Sequence, residues 1–251
     1  MKKIVDIPHL SVSYNSRLAL QVRGLAIFNH EILAVIGPAN SGKSSLIRSI
    51  NRMIDLNPRA HVEGEILFDG ANIYHPSFDV HELRTRIGMI FPVPMALPMS
   101  IFENLAYGPR LHGLVSIRKL TAAIEDCLKA VGLWDEVKQR LDTSALRLSG
   151  GQQQRLCLAR ALMVAPEILL FDEPCSGLDP ISTAKVEATM RALAKKYTIV
   201  LVTNNIKQAA RVSDRVAFFY NGELVETGRT KDVFRKSKDR RTADYISGKF
   251  G

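Results

Sequence analysis

Gly37-Pro38-Ala39-Asn40-Ser41-Gly42-Lys43-Ser44-Ser45 stands between the apolar run Ile32–Ile36 and Leu46-Ile47-Arg48-Ser49-Ile50, whose pattern opens a helix. Strand, glycine loop and helix in that order are the setting of a phosphate-binding loop. Gly37 and Gly42 let the backbone bend tightly, so that several N–H groups can point inward at phosphate oxygens. The helix N-terminus adds its partial positive charge, and Lys43 can reach the β- and γ-phosphates. Ser44 offers a hydroxyl to Mg²⁺. With the whole motif in its strand–helix context, a nucleotide site is a far better reading than an ordinary glycine turn.

Outward from the loop, 251 residues suffice for one large domain or two modest ones. The net charge of +9, from 34 basic and 25 acidic residues, comes without a dense basic run, and aromatics are few and scattered. A generally solvated basic surface accounts for that charge at least as well as a nucleic-acid site, and no nucleic-acid partner is expected. Cys127, Cys157 and Cys175 show no metal-ligand spacing, which suits reduced thiols in a cytoplasmic protein. No stretch approaches the ~20 apolar residues of a spanning helix, so a soluble chain is expected, with any membrane role supplied by a partner.

Before the loop, short apolar runs at 10–14, 18–22 and 25–28 read as strands joined by turns. After it, 62–73 reads as a hairpin turning at Asp69-Gly70, and 79–86 as a short helix leading into a strand over 87–91. Pro92, Pro94 and Pro98 then punctuate a loop, and helical patterns follow at 101–106, 117–131 and 133–141. The remainder alternates: helix 152–164, strand 168–171, helix 181–196, strand 198–202, helix 206–212, strand 215–220. A last hairpin turns at Asn221-Gly222, ahead of tail helices. Such alternation predicts an α/β core with mostly parallel strands. The expected organisation is a single domain over 1–251, with a core and β subdomain from 1–91 and 148–251 and a helical insertion at 92–147.

Ile168-Leu169-Leu170-Phe171-Asp172-Glu173-Pro174 is an apolar strand ending in two adjacent carboxylates. Placed beside the strand that feeds the phosphate loop, Asp172 would hold Mg²⁺, directly or through water. Glu173 would face the γ-phosphate and could orient and deprotonate an attacking water. Leu148-Ser149-Gly150-Gly151-Gln152 precedes another helix; its glycines permit close backbone approach, and Ser149 with the helix N-terminus can contact phosphate.

These three segments, together with Ser176-Gly177-Leu178-Asp179, closely resemble the ATP-binding subunits of ABC transporters. The resemblance implies a P-loop NTPase of ABC type: a mixed-sheet core, an antiparallel β subdomain and a helical subdomain. It implies a homodimer sandwiching two ATP molecules, with Ser149, Gly150, Gly151 and Gln152 of one copy capping ATP on the loop of the other. Asp179 would lie at the dimer interface. Tyr14 sits where that family stacks an aromatic on adenine, although a strand aromatic packed in the core is a real alternative. One branch is matched more fully, the ATPases of phosphate-specific importers. Asn51-Arg52-Met53, Tyr107-Gly108-Pro109-Arg110, Leu133-Trp134-Asp135-Glu136-Val137 and the ending Arg241-Thr242-Ala243-Asp244-Tyr245-Ile246-Ser247-Gly248-Lys249-Phe250-Gly251 are similar to it. That likeness implies two membrane permease subunits and, indirectly, a phosphate-binding protein as partners, with the chain peripheral on the cytoplasmic face of the membrane. An ATPase never touches the transported ion, so the solute rests on analogy.

Two positions depart from the family pattern. Where it carries a glutamine after the strand over 87–91, this chain has Pro92, which offers neither side-chain acceptor nor N–H. Where it carries a switch histidine, this chain has Asn204, an amide that can hydrogen-bond a γ-phosphate oxygen but never becomes cationic. Retained ATP binding with weakened hydrolysis is the expectation. The alternatives are an ATP-dependent regulatory or binding switch that turns over little ATP, and an importer ATPase for another small solute.

Overall fold

The computed structural model describes residues 2–114 and 116–250. Met1, Val115 and Gly251, the last a member of the tail segment quoted above, lie outside the described residues. Strands β1 (Lys3–Tyr14) and β2 (Arg17–Phe28) form a long antiparallel hairpin. Its turn, Asn15-Ser16, has φ of 47° and 64°, the mirror-image geometry that matches strand twist. The separate short strands expected at 18–22 and 25–28 are one strand. Pairing with β1 keeps one register across the expected break, Arg23 opposite His9 and Leu25 opposite Ile7, with Gly24 between them at a φ of 74°.

Five strands are parallel: β3 (Ile32–Ile36), β6 (Ile87–Ile90), β7 (Ile168–Asp172), β8 (Thr198–Val202) and β9 (Arg215–Tyr220). With the antiparallel β4 (Ala60–Phe68), β5 (Ala71–Asn72) and β10 (Glu223–Arg229), they complete a ten-stranded mixed sheet ordered β5-β4-β1-β2-β10-β9-β3-β8-β7-β6. A single parallel pair, Glu223 with Gln21, joins its antiparallel part to the β9–β10 hairpin and so to the parallel half. One expectation fails here: β7 is not the neighbour of β3, because β8 lies between them. Asp172 still arrives level with the phosphate loop, since Val202 of β8 pairs with Val35 on one side and Asp172 on the other.

Every residue of β3, β7 and β8 is buried, as strands covered on both faces require. Alternate residues serve opposite layers. Leu33, Val35, Leu170 and Val200 face a core shared with Leu46, Ile47 and Ile50 of α1 (Lys43–Ile50). Leu169, Phe171, Ile199 and Leu201 face a second core on the other side. That second core is built from α3 (Ile101–Leu111), α4 (Ile117–Ala130), α5 (Trp134–Val137), α6 (Gly150–Leu162) and α7 (Pro180–Leu193), in chain order after the short α2 (Val80–Arg86). Leu120, Ile124 and Leu128 recur every fourth residue on α4 and give it one buried stripe. The helical pattern at 133–141 shrinks to α5, and α6 begins at Gly150 rather than Gln152, because Ser149 caps it. The chain ends with α8 (Ile206–Val212), α9 (Thr230–Arg235) and α10 (Arg240–Ile246), which enclose a third cluster around Ile36, Phe218 and Tyr245.

Candidate nucleotide site

The loop over 37–42 leaves the C-terminal end of β3, where open parallel sheets present their ligand crevice. Both glycines are obligatory. A Cβ on Gly37 would stand 2.1 Å from the Phe219 carbonyl oxygen, and one on Gly42, whose φ is 90°, would stand 2.8 Å from that of Ala19. The turn delivers Lys43 as the first residue of α1, only 5% exposed. Its Nζ donates to the Gly37 and Pro38 carbonyls at 2.9 and 2.7 Å. Burial pulls the Lys43 ammonium below its ordinary pKa, while the Glu173 and Asp172 carboxylates push it back up. A cation is thus held inside its own loop, ringed by carbonyls and facing two acids.

Ser44 Oγ donates to Asp172 Oδ1 at 2.9 Å, and Arg48 Nη2 lies 3.7 Å from Asp172 Oδ2. Asp172 is 2% exposed. A hydroxyl and a carboxylate in contact are hard oxygen donors, and Mg²⁺ uses one or two such protein ligands beside phosphate oxygens and waters. The donor set fits that ion. Among the described residues no cluster of three or more His, Cys, Asp or Glu could hold a metal by itself.

Glu173 follows directly, with a φ of 46°, a left-handed conformation uncommon for a side chain of its size. Its N–H donates to the Val202 carbonyl at 2.9 Å, tying the turn to β8. Its Oε1 accepts from Asn204 Nδ2 at 2.5 Å. The two side chains form a partition. On one side is a cavity of about 450 Å³ lined by Tyr14, Ala19, Ala39, Asn40, the residues over 41–45, Glu173 and Asn204. On the other is a smaller cavity of about 280 Å³, reached by Cys175, Ser176, Leu178, Thr203 and Gln208. Tyr14 lines the larger cavity, bonds through its hydroxyl to Ser45 Oγ at 3.0 Å, and also packs on the core. The core-packing alternative thus describes part of its surroundings, and the rest of the residue faces the cavity.

Ser149, Gly150, Gly151, Gln152 and Asp179 do not line this cavity. They form the N-termini of α6 and α7. Ser149 and Gln152 make a reciprocal capping box, with the Ser149 N–H donating to Gln152 Oε1 at 3.0 Å. Asp179 caps α7 by accepting from the N–H groups of Ile181 and Ser182, both at 2.9 Å. The Ser182 hydroxyl, then those N–H groups, hold the Asp179 carboxyl below its ordinary pKa. Ser149, Gly150 and Asp179 are exposed, with Ile181 beside them 73% exposed. Pro92 is off the cavity as well; Gln154 Nε2 donates to the Phe91 carbonyl just before it, at 3.0 Å.

Three contributors escaped sequence reasoning. Arg48 lies four residues after Ser44, so helical spacing puts it on the same face, and that spacing was a usable signal. Ala19 and Tyr245 carried none. Ala19 closes the loop from β2, and Tyr245 is buried against Phe218, ring centroids 5.0 Å apart, with its hydroxyl toward the Gly37 backbone.

The model of the ABC transporter family matches residues 20–176. The phosphate import ATP-binding protein PstB of Thermotoga maritima is 49% identical over 251 residues, all of both chains. PstB 1 of Streptococcus agalactiae is 50% identical over 248 residues, 99% of this chain and 98% of that one. Among solved structures, cbiO1 of Clostridium perfringens, part of the ABC transporter complex cbiONQ, superposes with a TM-score of 0.82 at 25% identity, covering 97% of this chain and 95% of its own. A bacterial Atm1-family ABC exporter with ATP bound gives 0.81 at 28% identity, covering 98% of this chain and 42% of the exporter.

Proposed function

Because this chain belongs to the ABC transporter family, we propose that it is the ATPase subunit that powers an importer, with inorganic phosphate as the imported solute. It is an ATP-hydrolysing enzyme of that family. The observation that carries the chemistry is the meeting, at one cavity, of Lys43, Ser44 with Asp172 bonded behind it, and the Glu173–Asn204 pair. Full-length identity of about one half to two phosphate import ATP-binding proteins supports the solute.

In this reading the loop N–H groups over 37–45 and Lys43 hold the β- and γ-phosphates. Ser44 and Asp172 would hold Mg²⁺, which when bound neutralises charge on the phosphates. Tyr14 packs against the base. Glu173 orients a water and accepts its proton as the water oxygen bonds to the γ-phosphorus and the bond from that phosphorus to the bridging oxygen breaks, releasing ADP and phosphate. Asn204 keeps Glu173 in place with one N–H and turns its other N–H to the γ-phosphate side. Neither Asn204 nor Pro92 supplies a cation or a switchable acid there, so turnover is slow relative to binding.

Ser149, Gly150, Gly151, Gln152 and Asp179 act on the nucleotide of a second copy. The exposure of Ser149, Gly150 and Asp179, and the absence of all five from the walls of this chain's own loop cavity, support a homodimer. The helical region over 92–147 docks a pair of membrane permease subunits, which a phosphate-binding protein loads from the other side. An apolar groove of about 320 Å³ lined by Met89, Val93, Pro94, Met95 and Leu97 supports that placement. Among the described residues no helix is long and apolar enough to cross a membrane. Attachment at the cytoplasmic face therefore runs through the permeases.

The test is uptake. In a cell whose own phosphate-import ATPase is deleted, the chain expressed with its neighbouring permease genes restores phosphate uptake, and the Lys43→Ala variant does not. Restored uptake of sulfate but not phosphate would reassign the solute. ATP-driven dimerisation without any permease association would favour a regulatory switch.

A further inference from the structure

We propose that Glu136 is a positioning residue for the ATP held between two copies, clamping the segment 149–152 in the conformation it presents to the partner. This rests on the reading just given, in which that segment acts across a dimer. Glu136 lies on α5, outside the loop cavity and outside the segment itself. Its Oε1 accepts from Arg155 Nη1 and from Lys185 Nζ, both at 3.0 Å. Its Oε2 accepts from Arg155 Nη2 at 3.0 Å and from Gln152 Nε2 at 2.9 Å. Four donors from α6 and α7 therefore converge on one carboxylate.

What those donors do next decides the role. Gln152 turns its other end, Oε1, to the Ser149 N–H at 3.0 Å, so its amide is a rigid link from Glu136 to the first residue of the segment. Arg155 is 4% exposed and also donates to the Gly132 carbonyl at 2.5 Å and the Gly151 carbonyl at 3.4 Å. Gly151 in turn lies flat on α7: a Cβ there would stand 2.5 Å from Ser182 Oγ, which donates to Asp179 Oδ2 at 2.5 Å. Glu136 thus links the backbone of the segment to the helix that Asp179 caps. The Arg155 arm is bidentate and buried, so it dominates. The Lys185 arm is solvent-exposed and adds little. Arg155 first, with Gln152 and Lys185, holds the Glu136 carboxyl well below its ordinary value, at about 2, so it stays charged at any working pH.

The test uses the full chain carrying Glu173→Gln, so that ATP is bound without being consumed. Association on adding Mg-ATP is followed by light scattering, and nucleotide affinity is followed with a fluorescent ATP analogue at protein concentrations too low for association. Glu136→Ala is expected to raise the protein concentration for half-association by about tenfold or more, with analogue affinity unchanged within about twofold. Glu136→Gln, which keeps one acceptor, falls between, and Lys185→Met shows the smallest change. All are compared at a temperature where circular dichroism shows each variant fully folded, because a merely stabilising contact would move the melting temperature and leave association untouched. Unchanged association in Glu136→Ala and Glu136→Gln overturns the proposal. So does an equal loss of analogue affinity, which would place the effect at the variant's own loop. If Glu136→Ala does not fold, weakened association in Glu136→Gln supports the proposal and unchanged association in that variant alone overturns it. If the Glu173→Gln parent itself stays monomeric with ATP, the dimer reading fails first and takes this inference with it.

Discussion

Restoring the two missing polar groups, Pro92→Gln and Asn204→His together, should raise ATP turnover by about three orders of magnitude while leaving ATP affinity almost unchanged. Asn204 Nδ2 already sits 2.5 Å from Glu173 Oε1, so that carboxylate has a partner. What is lacking is charge. A hydrogen bond between neutral groups contributes about 0.5–1.5 kcal/mol and one with a charged partner about 1.5–3, so each added charge is worth about 1–1.5 kcal/mol. The gain from imidazole at 204 is therefore about 1–1.5 kcal/mol, close to tenfold in rate. Pro92 lacks a side-chain donor, acceptor and N–H, so the Pro92→Gln change would restore a whole interaction, worth about 10² at the lower end for transition-state groups. The two positions follow different strands, β6 and β8, and their effects should multiply to about 10³. Affinity should stay within about threefold, because the phosphate-holding groups over 37–45 and the Ser44–Asp172 pair are untouched. Steady-state phosphate release at saturating ATP, beside titration with a fluorescent ATP analogue, reads both quantities. Wild-type turnover equal to that of the double variant would mean that Pro92 and Asn204 do not limit hydrolysis.

Glu173→Gln should leave analogue binding intact and slow turnover by about 10²–10⁴, since the proton acceptor is lost while its contact with Asn204 survives as an amide pair; equal loss of binding would contradict the assigned role. Gly37→Ala forces a methyl to within 2.1 Å of the Phe219 carbonyl oxygen, a backbone atom that cannot swing away. It should cost about 1–3 kcal/mol and lower the melting temperature by roughly 2–12 °C, with ATP binding lost at the same time, as calorimetry with and without nucleotide would record. Acid stability should report Glu136. Its folded-state pKa lies below the unfolded value of 4.5, at about 2, so its contribution is fully present above pH 4.5 and disappears as pH falls through 2. Denaturant melts from pH 5 to about 2 should show wild type losing its advantage over Glu136→Gln across that window, and parallel curves would contradict the clamp.

The phosphate loop was legible because its glycines are required sterically and its flanking patterns are local. Ile32–Ile36 reads as a buried strand, Leu46 and Ile47 as a helix face, and the structure places them so. Strand order was not legible in the same way. Periodicity shows that 168–172 is buried on both faces, but the insertion of β8 between β3 and β7 is a long-range choice that no local pattern encodes. The break expected within β2 came from Arg23-Gly24, where local turn chemistry is overridden by pairing with β1 on either side. Glu136 was visible only as part of a matched segment. Its role depends on Arg155 and Lys185, 19 and 49 residues away along the chain, meeting at one carboxylate. Tyr245 is a similar case, reaching the loop through Phe218 from the far end of the chain.

In the proposed dimer, Lys43 and Glu173 of one copy and Ser149 of another make one catalytic site. Phosphate release per chain, measured at saturating Mg-ATP across a wide range of protein concentration, shows whether a second copy completes that site. A site completed by a second copy predicts specific activity that climbs with concentration and then levels off, with Ser149→Arg abolishing the climb and leaving ATP-analogue affinity intact. Specific activity that stays constant across the range, down to concentrations at which sedimentation shows only monomer, would contradict it.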